Sequence, residues 1–234
     1  MDKGGGVPTI PRKDLTHPLR VVTPTLDGDV LRILAGVGPE IEFPVSTIHA
    51  LLEEYSLSGL RKAADRLVDQ GLVECRRVAN AYVYRLNRDH LAFDAVIALA
   101  AQRATFFARL EAAFADWEIP PVYAALFGSA SRWDMTPASD IDLFLVRPDG
   151  LAPAIDDPLT PWEIQTDTLA GAVGRWTGNP CNVMEYDVAE VAVELAAEVA
   201  AGGGVLLTID AEGLHLAGDP DYLRDQVRDL SRRP

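Results

Sequence analysis

The sequence is poor in the residues that build disulfide scaffolds and most transition-metal sites. Among 234 residues there are two cysteines, Cys75 and Cys181, which lie far apart without metal-like spacing, as expected for a reduced compartment. The histidines are equally scattered and form no cluster: His17, His49, His90 and His215. No apolar run approaches the roughly 18 residues that a membrane span needs, and the N-terminus has no signal-peptide core. We therefore expect a cytoplasmic protein without a membrane segment.

Several nucleotide-binding signatures are also missing. There is no Gly-Lys-Ser/Thr phosphate loop and no Gly-x-Gly-x-x-Gly motif after a predicted strand. Basic residues are few as well: 21 Lys and Arg stand against 35 Asp and Glu, for a net charge of −14. Residues 1–90 hold 12 basic and 12 acidic residues, whereas residues 91–234 hold 9 basic and 23 acidic residues. This difference predicts two domains, of which only the first suits an anionic partner such as DNA.

What the sequence does contain is an apolar run that ends in Gly128-Ser129 and is followed, after a spacer, by Asp140-Ile141-Asp142. Successive strand residues point to opposite faces, so the two aspartates share one face while their apolar neighbours pack on the other. Two carboxylates this close repel each other unless a cation or a proton offsets them. Mg²⁺ suits such hard oxygen ligands and commonly binds through one or two carboxylates plus substrate phosphates.

The glycine turn supplies the second half of the pattern. Gly128 lets the backbone approach a ligand closely, and a helix that starts there would offer free N–H groups to an anion. Ser129 adds a hydroxyl group, and Arg132 adds a planar cation suited to phosphate. Together with the two carboxylates, these residues predict nucleotidyl or phosphoryl transfer with a metal ion that neutralises phosphate charge.

This order of apolar strand, glycine turn, spacer and aspartate pair closely resembles the signature of the DNA polymerase β-like nucleotidyltransferases, in their minimal branch. The resemblance covers roughly residues 120–215. It implies an enzyme that uses Mg²⁺ or Mn²⁺ to move a nucleoside monophosphate from an NTP to a hydroxyl acceptor: a protein side chain, an RNA end or a small molecule such as an aminoglycoside. Asp140 and Asp142 would be catalytic metal ligands, and Gly128, Ser129 and Arg132 would bind the nucleotide.

The same resemblance implies a third acidic residue on a later strand, which binds metal and often acts as a general base. The candidate strand is 181–186. The family spacing falls on Asn182, whereas Glu185 is the best carboxylate available and is taken as the catalytic candidate. Period-two geometry puts Asn182 and Glu185 on opposite faces, so only one of them can join Asp140 and Asp142. An asparagine there would orient groups by hydrogen bonding but could not act as a base.

Residues 25–90 show three helical patterns followed by two alternating runs, and they resemble a winged helix-turn-helix DNA-binding domain. In that resemblance the third helix, capped by Ser58, enters the major groove, and a dimer is expected if the operator is two-fold symmetric. The candidate DNA-binding residues are Ser58, Arg61, Lys62, Arg66, Arg76 and Arg77. Arg and Lys displace phosphate counterions, and Arg also reads guanine edges. Protein contacts or dimerisation are the alternative role, because residues 1–90 have no net charge.

We therefore predict a mixed α+β protein with a flexible lead-in (1–24), the winged helix (25–90), one long connecting helix (91–119) and a nucleotidyltransferase-like α/β sheet domain with flanking helices (120–234). In the last domain, strands are predicted at 122–127, 140–146 and 181–186, a short edge strand or extended segment at 205–209, and helices at 162–176, 188–201 and 221–229. The glutamates of the helix at 188–201 are predicted to face outward: Glu190, Glu194 and Glu198.

Three functions are compatible with this organisation. The leading one is a nucleotidyltransferase coupled to a DNA-binding winged helix. The second is a transcriptional regulator whose nucleotidyltransferase-like domain senses a nucleotide without turnover, which the winged helix and the ambiguous third carboxylate favour. The third, a role in a toxin–antitoxin pair, follows only from the resemblance, since such domains recur in those systems.

Overall fold

The fold is a mixed α+β arrangement with two separate sheets, as the sequence predicts. The computed structural model describes residues 17–23, 25–38, 40–132, 135, 139–151 and 159–232. These residues divide into two compact units, the first ending at Thr105 and the second beginning at Phe106.

The N-terminal unit combines helices with a three-stranded antiparallel sheet. Its elements are a 3-10 helix (Pro18–Val21), α1 (Leu26–Ala35), β1 (Phe43–Pro44), α2 (Val45–Leu51), α3 (Leu57–Asp69), β2 (Val73–Val78), β3 (Ala81–Leu86) and α4 (Phe93–Ala100). The strand order is β1-β3-β2, so the short β1 extends the predicted β2–β3 hairpin. One apolar core joins the helices to the inner face of this sheet.

Helix α3 has the amphipathic pattern that the sequence predicts. Its buried face is formed by residues at helical spacing: Leu60, Ala63, Ala64 and Leu67. The helix begins two residues earlier than predicted, because the Ser56 hydroxyl, rather than that of Ser58, accepts the Gly59 N–H at 3.1 Å. Arg61 and Lys62 lie on the exposed face.

Two predicted segments differ from the structure. The lead-in was expected to be flexible, yet residues 17–23 include a 3-10 helix whose Leu19 side chain is 2% exposed in the core; residues 1–16 and 24 lie outside the described residues. The connecting helix is two helices, α4 and α5 (Gln102–Ala115), separated at Ala101. Helix α4 buries Val96, and α5 buries Phe106, Leu110 and Phe114 at helical spacing, so the apolar residues of the segment belong to two helices and do not fit a single stripe.

A buried ionic cluster fastens the 3-10 helix to α1 and to the turn before α3. The Asp29 side chain, 2% exposed, accepts hydrogen bonds from Arg20 Nη2 at 2.8 Å and from the Tyr55 hydroxyl at 2.9 Å. His17 Nδ1 lies 3.1 Å from the other carboxylate oxygen, and Arg20 also contacts the Tyr55 hydroxyl. Burial raises the pKa of the Asp29 carboxyl, but these hydrogen bonds and the Arg20 charge outweigh it and hold the pKa below its ordinary value.

The C-terminal unit is built on a four-stranded mixed sheet. After α5 come β4 (Tyr123–Phe127), α6 (Gly128–Arg132), β5 (Ile141–Arg147), α7 (Pro161–Thr177), β6 (Cys181–Asp187), α8 (Val188–Ala201), α9 (Val205–Glu212), β7 (Leu214–Gly218) and α10 (Tyr222–Ser231). The strand order is β6-β5-β4-β7, with β5 and β6 parallel and the other pairs antiparallel. Helix α7 makes the crossover that the parallel pair requires. The predicted strands at 122–127, 140–146 and 181–186 are confirmed.

Residues 205–209, predicted as an edge strand or extended segment, are instead in helix α9, and the edge strand is β7. The reason lies in Glu198, which was predicted to face outward but is only 6% exposed. Its carboxylate accepts the N–H groups of Leu206 at 3.1 Å and Leu207 at 2.9 Å, and so satisfies the first turn of α9. A side chain at Gly204 would overlap the Glu198 side chain, so the close approach requires glycine.

Within the part of the chain that the structure describes, no single helix has both the length and the apolar character needed to cross a bilayer. Helices α8 and α9 pass that test only when taken together, and they are bent by 93° relative to each other.

Candidate functional site

The site lies at one end of the C-terminal sheet, where three strands bring polar residues side by side. Phe127 of β4 pairs with Asp142 of β5, and Asp142 pairs in turn with Asn182 of β6. Paired residues point to the same face, and Asp140, two residues before Asp142, shares it. Further along this face Phe144 is fully buried in the core that the sheet makes with α8, α9 and α10. The carboxylates are therefore held at the solvent end of a rigid, buried strand.

Asn182 joins the two aspartates. Its side-chain Nδ2 donates hydrogen bonds to Asp140 Oδ2 at 3.3 Å and to Asp142 Oδ1 at 3.2 Å. An amide nitrogen carries two hydrogens, so one asparagine can serve both acceptors. The amide holds the carboxylates toward a common point and offsets part of their repulsion, because its N–H dipoles face both negative charges.

Glu185 does not reach the aspartate pair, and its predicted place there is corrected. It pairs with Leu145 in the β5–β6 register and therefore lies on the opposite face from Asn182. Its carboxylate accepts a hydrogen bond at 2.7 Å from Arg147, whose side chain is 13% exposed and also lies 3.8 Å from Asp187. The parallel pairing of β5 with β6 thus places Asn182, and not Glu185, beside the two aspartates.

The glycine turn lies directly against Asp142. Gly128 has φ +71°, a left-handed conformation that side chains disfavour, and a Cβ placed on it would lie 2.5 Å from Asp142 Oδ2. The Ser131 hydroxyl closes the turn by donating to the Gly128 carbonyl at 2.9 Å. The predicted helix after the turn, α6, has five residues, of which Ser129 is the second and is half-buried. Of residues 133–139, Met135 and Ser139 are described.

A buried asparagine that sequence reasoning missed positions the start of β5. Asn179, 1% exposed, donates from Nδ2 to the Ser139 carbonyl at 2.7 Å, immediately before Asp140. The Asn179 N–H is bound in turn by the Thr177 hydroxyl, and the Pro180 carbonyl accepts the Ile141 N–H at 2.8 Å. The available signal was the Asn-Pro pair before a predicted strand, a pair that marks a turn.

Arg132 and Cys181 border the site without joining the carboxylates. Arg132 Nη1 lies 3.4 Å from Glu212 Oε2 at the end of α9, and its contact with phosphate remains a prediction. Burial, reinforced by the charge of Asp142, raises the pKa of the Cys181 thiol to about 12. This shift favours the protonated thiol over the reactive thiolate.

The donor set is suited to a hard divalent cation. Mg²⁺ binds carboxylate oxygens together with substrate phosphates. The Asn182 side chain can add an amide oxygen as a ligand if its amide group rotates so that the oxygen, rather than the nitrogen, faces the aspartates. Within the described ranges, no group of three or more His, Cys, Asp and Glu residues is arranged to hold a metal ion. The aspartate pair thus fits a cation that arrives with further oxygen ligands of its own.

Most of the predicted DNA-binding residues make contacts within the N-terminal unit. Arg66 binds Asp27 through two hydrogen bonds of 2.9 and 3.1 Å, and Arg76 binds Glu42 through two of 2.6 Å. Arg77 donates to the Ala79 carbonyl, and the Ser58 hydroxyl lies 3.3 Å from that of Ser56. The Arg76 hydrogen bond and charge hold the pKa of Glu42 below its ordinary value, so this partner stays ionised at neutral pH.

Comparisons with known proteins give distant likenesses only. No protein-family model matches the chain, and no curated protein does. Two solved structures are similar over part of its length. One, described as a toxin-antitoxin with AMP-PNP, is 15% identical, with 53% of this chain and 83% of that chain covered and a TM-score of 0.33. The other, a mutant of the toxin-antitoxin MntA-HpeT, is 13% identical with the same coverage and TM-score. At this distance they carry no inference about activity.

Proposed function

We propose that the C-terminal unit is a nucleotidyltransferase-like domain that binds an NTP together with Mg²⁺ or Mn²⁺ at Gly128, Ser129, Asp140 and Asp142. The observation that carries the proposal is the Asp142 carboxylate lying against the side-chain-free backbone of Gly128. A cation held by the aspartates and a phosphate resting on that backbone would then be neighbours, as cation–phosphate recognition requires.

The chemistry that follows is transfer of a nucleoside monophosphate to a hydroxyl acceptor with release of pyrophosphate. A bound Mg²⁺ would supply neutralisation of phosphate charge and polarisation of the reacting phosphate. Asp140 and Asp142 hold the cation, Gly128 gives the phosphates access to the backbone, and Asn182 keeps the two carboxylates convergent. The amide of Asn182 cannot take a proton from the acceptor, so Asn182 orients the two aspartates and is not a general base.

The test measures nucleotide binding and transfer in wild type and in Asp142→Ala. Each NTP, labelled at the α-phosphate, is incubated with Mg²⁺, and binding, label transfer and pyrophosphate release are followed. We expect Asp142→Ala to weaken metal-dependent binding at least about tenfold, which corresponds to about 1.4 kcal/mol, because one of two cation ligands is lost. Glu185→Gln, on the other face of β6, is the matched control and should bind like wild type. Equal binding by all three proteins would refute the proposal.

A second candidate is a regulator that binds the nucleotide without turnover. It is favoured by one observation, the amide of Asn182 where a catalytic carboxylate would be needed as base. The same experiment separates the candidates. Metal-dependent nucleotide binding that Asp142→Ala abolishes, with neither label transfer nor pyrophosphate release from any NTP, identifies the regulator.

For the N-terminal unit we propose a winged-helix module that contacts DNA through α3. Its support is the order of three helices and a hairpin, with Arg61 and Lys62 exposed on α3, whereas Arg66 and Arg76 are engaged by acidic partners. The double variant Arg61→Ala/Lys62→Ala is expected to lower the slope of log affinity against log salt by about 2 in a fluorescence-anisotropy titration, roughly 0.9 per lost phosphate contact.

Arg88→Ala is the matched control for DNA binding, because Arg88 is an exposed arginine bound to Glu40 and lies outside α3. It should leave the salt slope unchanged. Salt-independent binding, or a double variant that behaves like wild type, would contradict DNA contact through α3 and leave protein contacts as the role of this unit.

A further inference from the structure

The charge of the site is unusual for nucleotidyl transfer. Asp140 and Asp142 contribute two negative charges, and the third side chain that meets them, Asn182, contributes none. Two carboxylates balance one divalent cation. An in-line displacement is also catalysed by two cations about 4 Å apart, which stabilise both the attacking and the leaving oxygen. Two divalent cations would place four positive charges beside the two negative charges of Asp140 and Asp142.

The phosphates of the nucleotide cannot supply the missing negative charge on both sides of the reacting phosphorus. In an in-line displacement the acceptor oxygen attacks from the side opposite to the leaving pyrophosphate. A cation beside the pyrophosphate gains ligands from the triphosphate, whereas a cation beside the acceptor is remote from those oxygens. The acceptor-side cation therefore depends on carboxylates of the protein, and the side chain that meets Asp140 and Asp142 on β6 is the neutral amide of Asn182.

Among the described residues, no third acid stands with Asp140 and Asp142 in an arrangement that could hold a metal ion. Glu185, the nearest carboxylate in sequence on β6, lies on the opposite face and is engaged by Arg147 at 2.7 Å. The Asn182 amide is itself directed between the two aspartates, with Nδ2 within 3.3 Å of an oxygen of each. A second cation would have to displace these N–H groups and would gain at most one neutral oxygen in return.

We propose that Asn182 restricts this site to a single divalent cation, the one that enters with the nucleotide. The inference rests on the proposed function, and it states that the site binds an NTP together with one divalent cation. Asn182 acts here as a positioning residue, because it contacts the two aspartates that hold the cation. It follows that a single substitution, Asn182→Asp, restores the missing charge and admits a second cation.

The experiment counts Mn²⁺ ions per bound nucleotide. The full-length protein is dialysed to equilibrium against Mn²⁺ and α,β-methylene-ATP, which cannot release pyrophosphate, in about 0.15 M salt to screen the acidic surface. We expect one bound Mn²⁺ per nucleotide for wild type and two for Asn182→Asp. Electron paramagnetic resonance gives an independent reading, since two Mn²⁺ ions about 4 Å apart broaden each other's spectrum and a single ion does not. Glu185→Gln is the matched control and should bind one.

A thermal measurement keeps the test decisive if the variant is less stable. Three carboxylates without metal repel one another, so Asn182→Asp should have a lower Tm than wild type in the absence of metal and a larger rise in Tm on addition of Mn²⁺. If Asn182→Asp does not fold at all, Asn182→Glu, which adds the same negative charge, takes its place in the ion count, and two Mn²⁺ ions in wild type still overturn the inference.

The outcomes separate this inference from the function on which it rests. Two Mn²⁺ ions in wild type with normal nucleotide binding overturn the single-cation inference and leave the proposed function standing. One ion in both proteins overturns it as well, because Asn182 is then not the limiting group. Wild type that binds no nucleotide with Mn²⁺ overturns the proposed function, and the inference with it.

Discussion

Replacing Gly128 by alanine is expected to reduce metal-dependent nucleotide binding about tenfold or more. Two costs combine at this position. The backbone is left-handed at φ +71°, which costs a residue with a Cβ roughly 1–2 kcal/mol, and the new Cβ would lie 2.5 Å from Asp142 Oδ2, well inside van der Waals contact. The carboxylate has to move, and the cation position moves with it. Isothermal titration with an NTP and Mg²⁺ measures the effect.

Gly202→Ala separates the two costs. Gly202 also has a left-handed φ of +74°, but a Cβ there meets nothing within 4 Å among the described residues, and it ends α8 away from the site. This control should lose a similar part of its stability to backbone strain and bind the nucleotide like wild type. If both variants lose nucleotide affinity equally, the loss in Gly128→Ala does not come from contact of the new Cβ with Asp142, and the prediction is contradicted.

Asp29→Asn is expected to lower the free energy of unfolding of the N-terminal unit by about 2–3 kcal/mol at pH 7. Breaking a buried ion pair on one side costs about 3–5 kcal/mol, and the expected cost lies at or below the lower end of that range because the Arg20 side chain is 35% exposed and solvent screens it. The amide also loses acceptor capacity toward His17, Arg20 and Tyr55. Urea unfolding followed by circular dichroism measures the difference.

The Asp29 effect has a defined pH dependence. The folded-state pKa of Asp29 lies below the ordinary value of 3.8, so its contribution is fully present above about pH 3.8 and is lost as the pH falls through the folded-state pKa. Wild type and Asp29→Asn should therefore converge in strong acid. Asp27→Asn, on the same helix and paired with the exposed Arg66, is the control and should cost less. A difference that persists below the folded-state pKa would contradict the assignment to the Asp29 charge.

Local patterns in the sequence predicted the parts of the fold that depend on neighbours along the chain. Period-two alternation located the three strands of the site, and helical spacing located α3, α7 and α8. The same rules failed where a distant group decides the conformation. Residues 205–209 have apolar character that suits either a strand or a helix, and Glu198, which binds the backbone of the first turn of α9, selects the helix.

For the site, the sequence by itself determined that Asp140 and Asp142 share one face beside a glycine turn, because that follows from alternation along one strand. It could not choose between Asn182 and Glu185, since each fits an alternating strand equally well and only the face differs. The tertiary structure made that choice through the parallel pairing of β5 with β6, which puts Asn182 beside Asp142 and Glu185 beside Arg147. Strand register is a relation between segments 40 residues apart, and no periodicity within either segment encodes it.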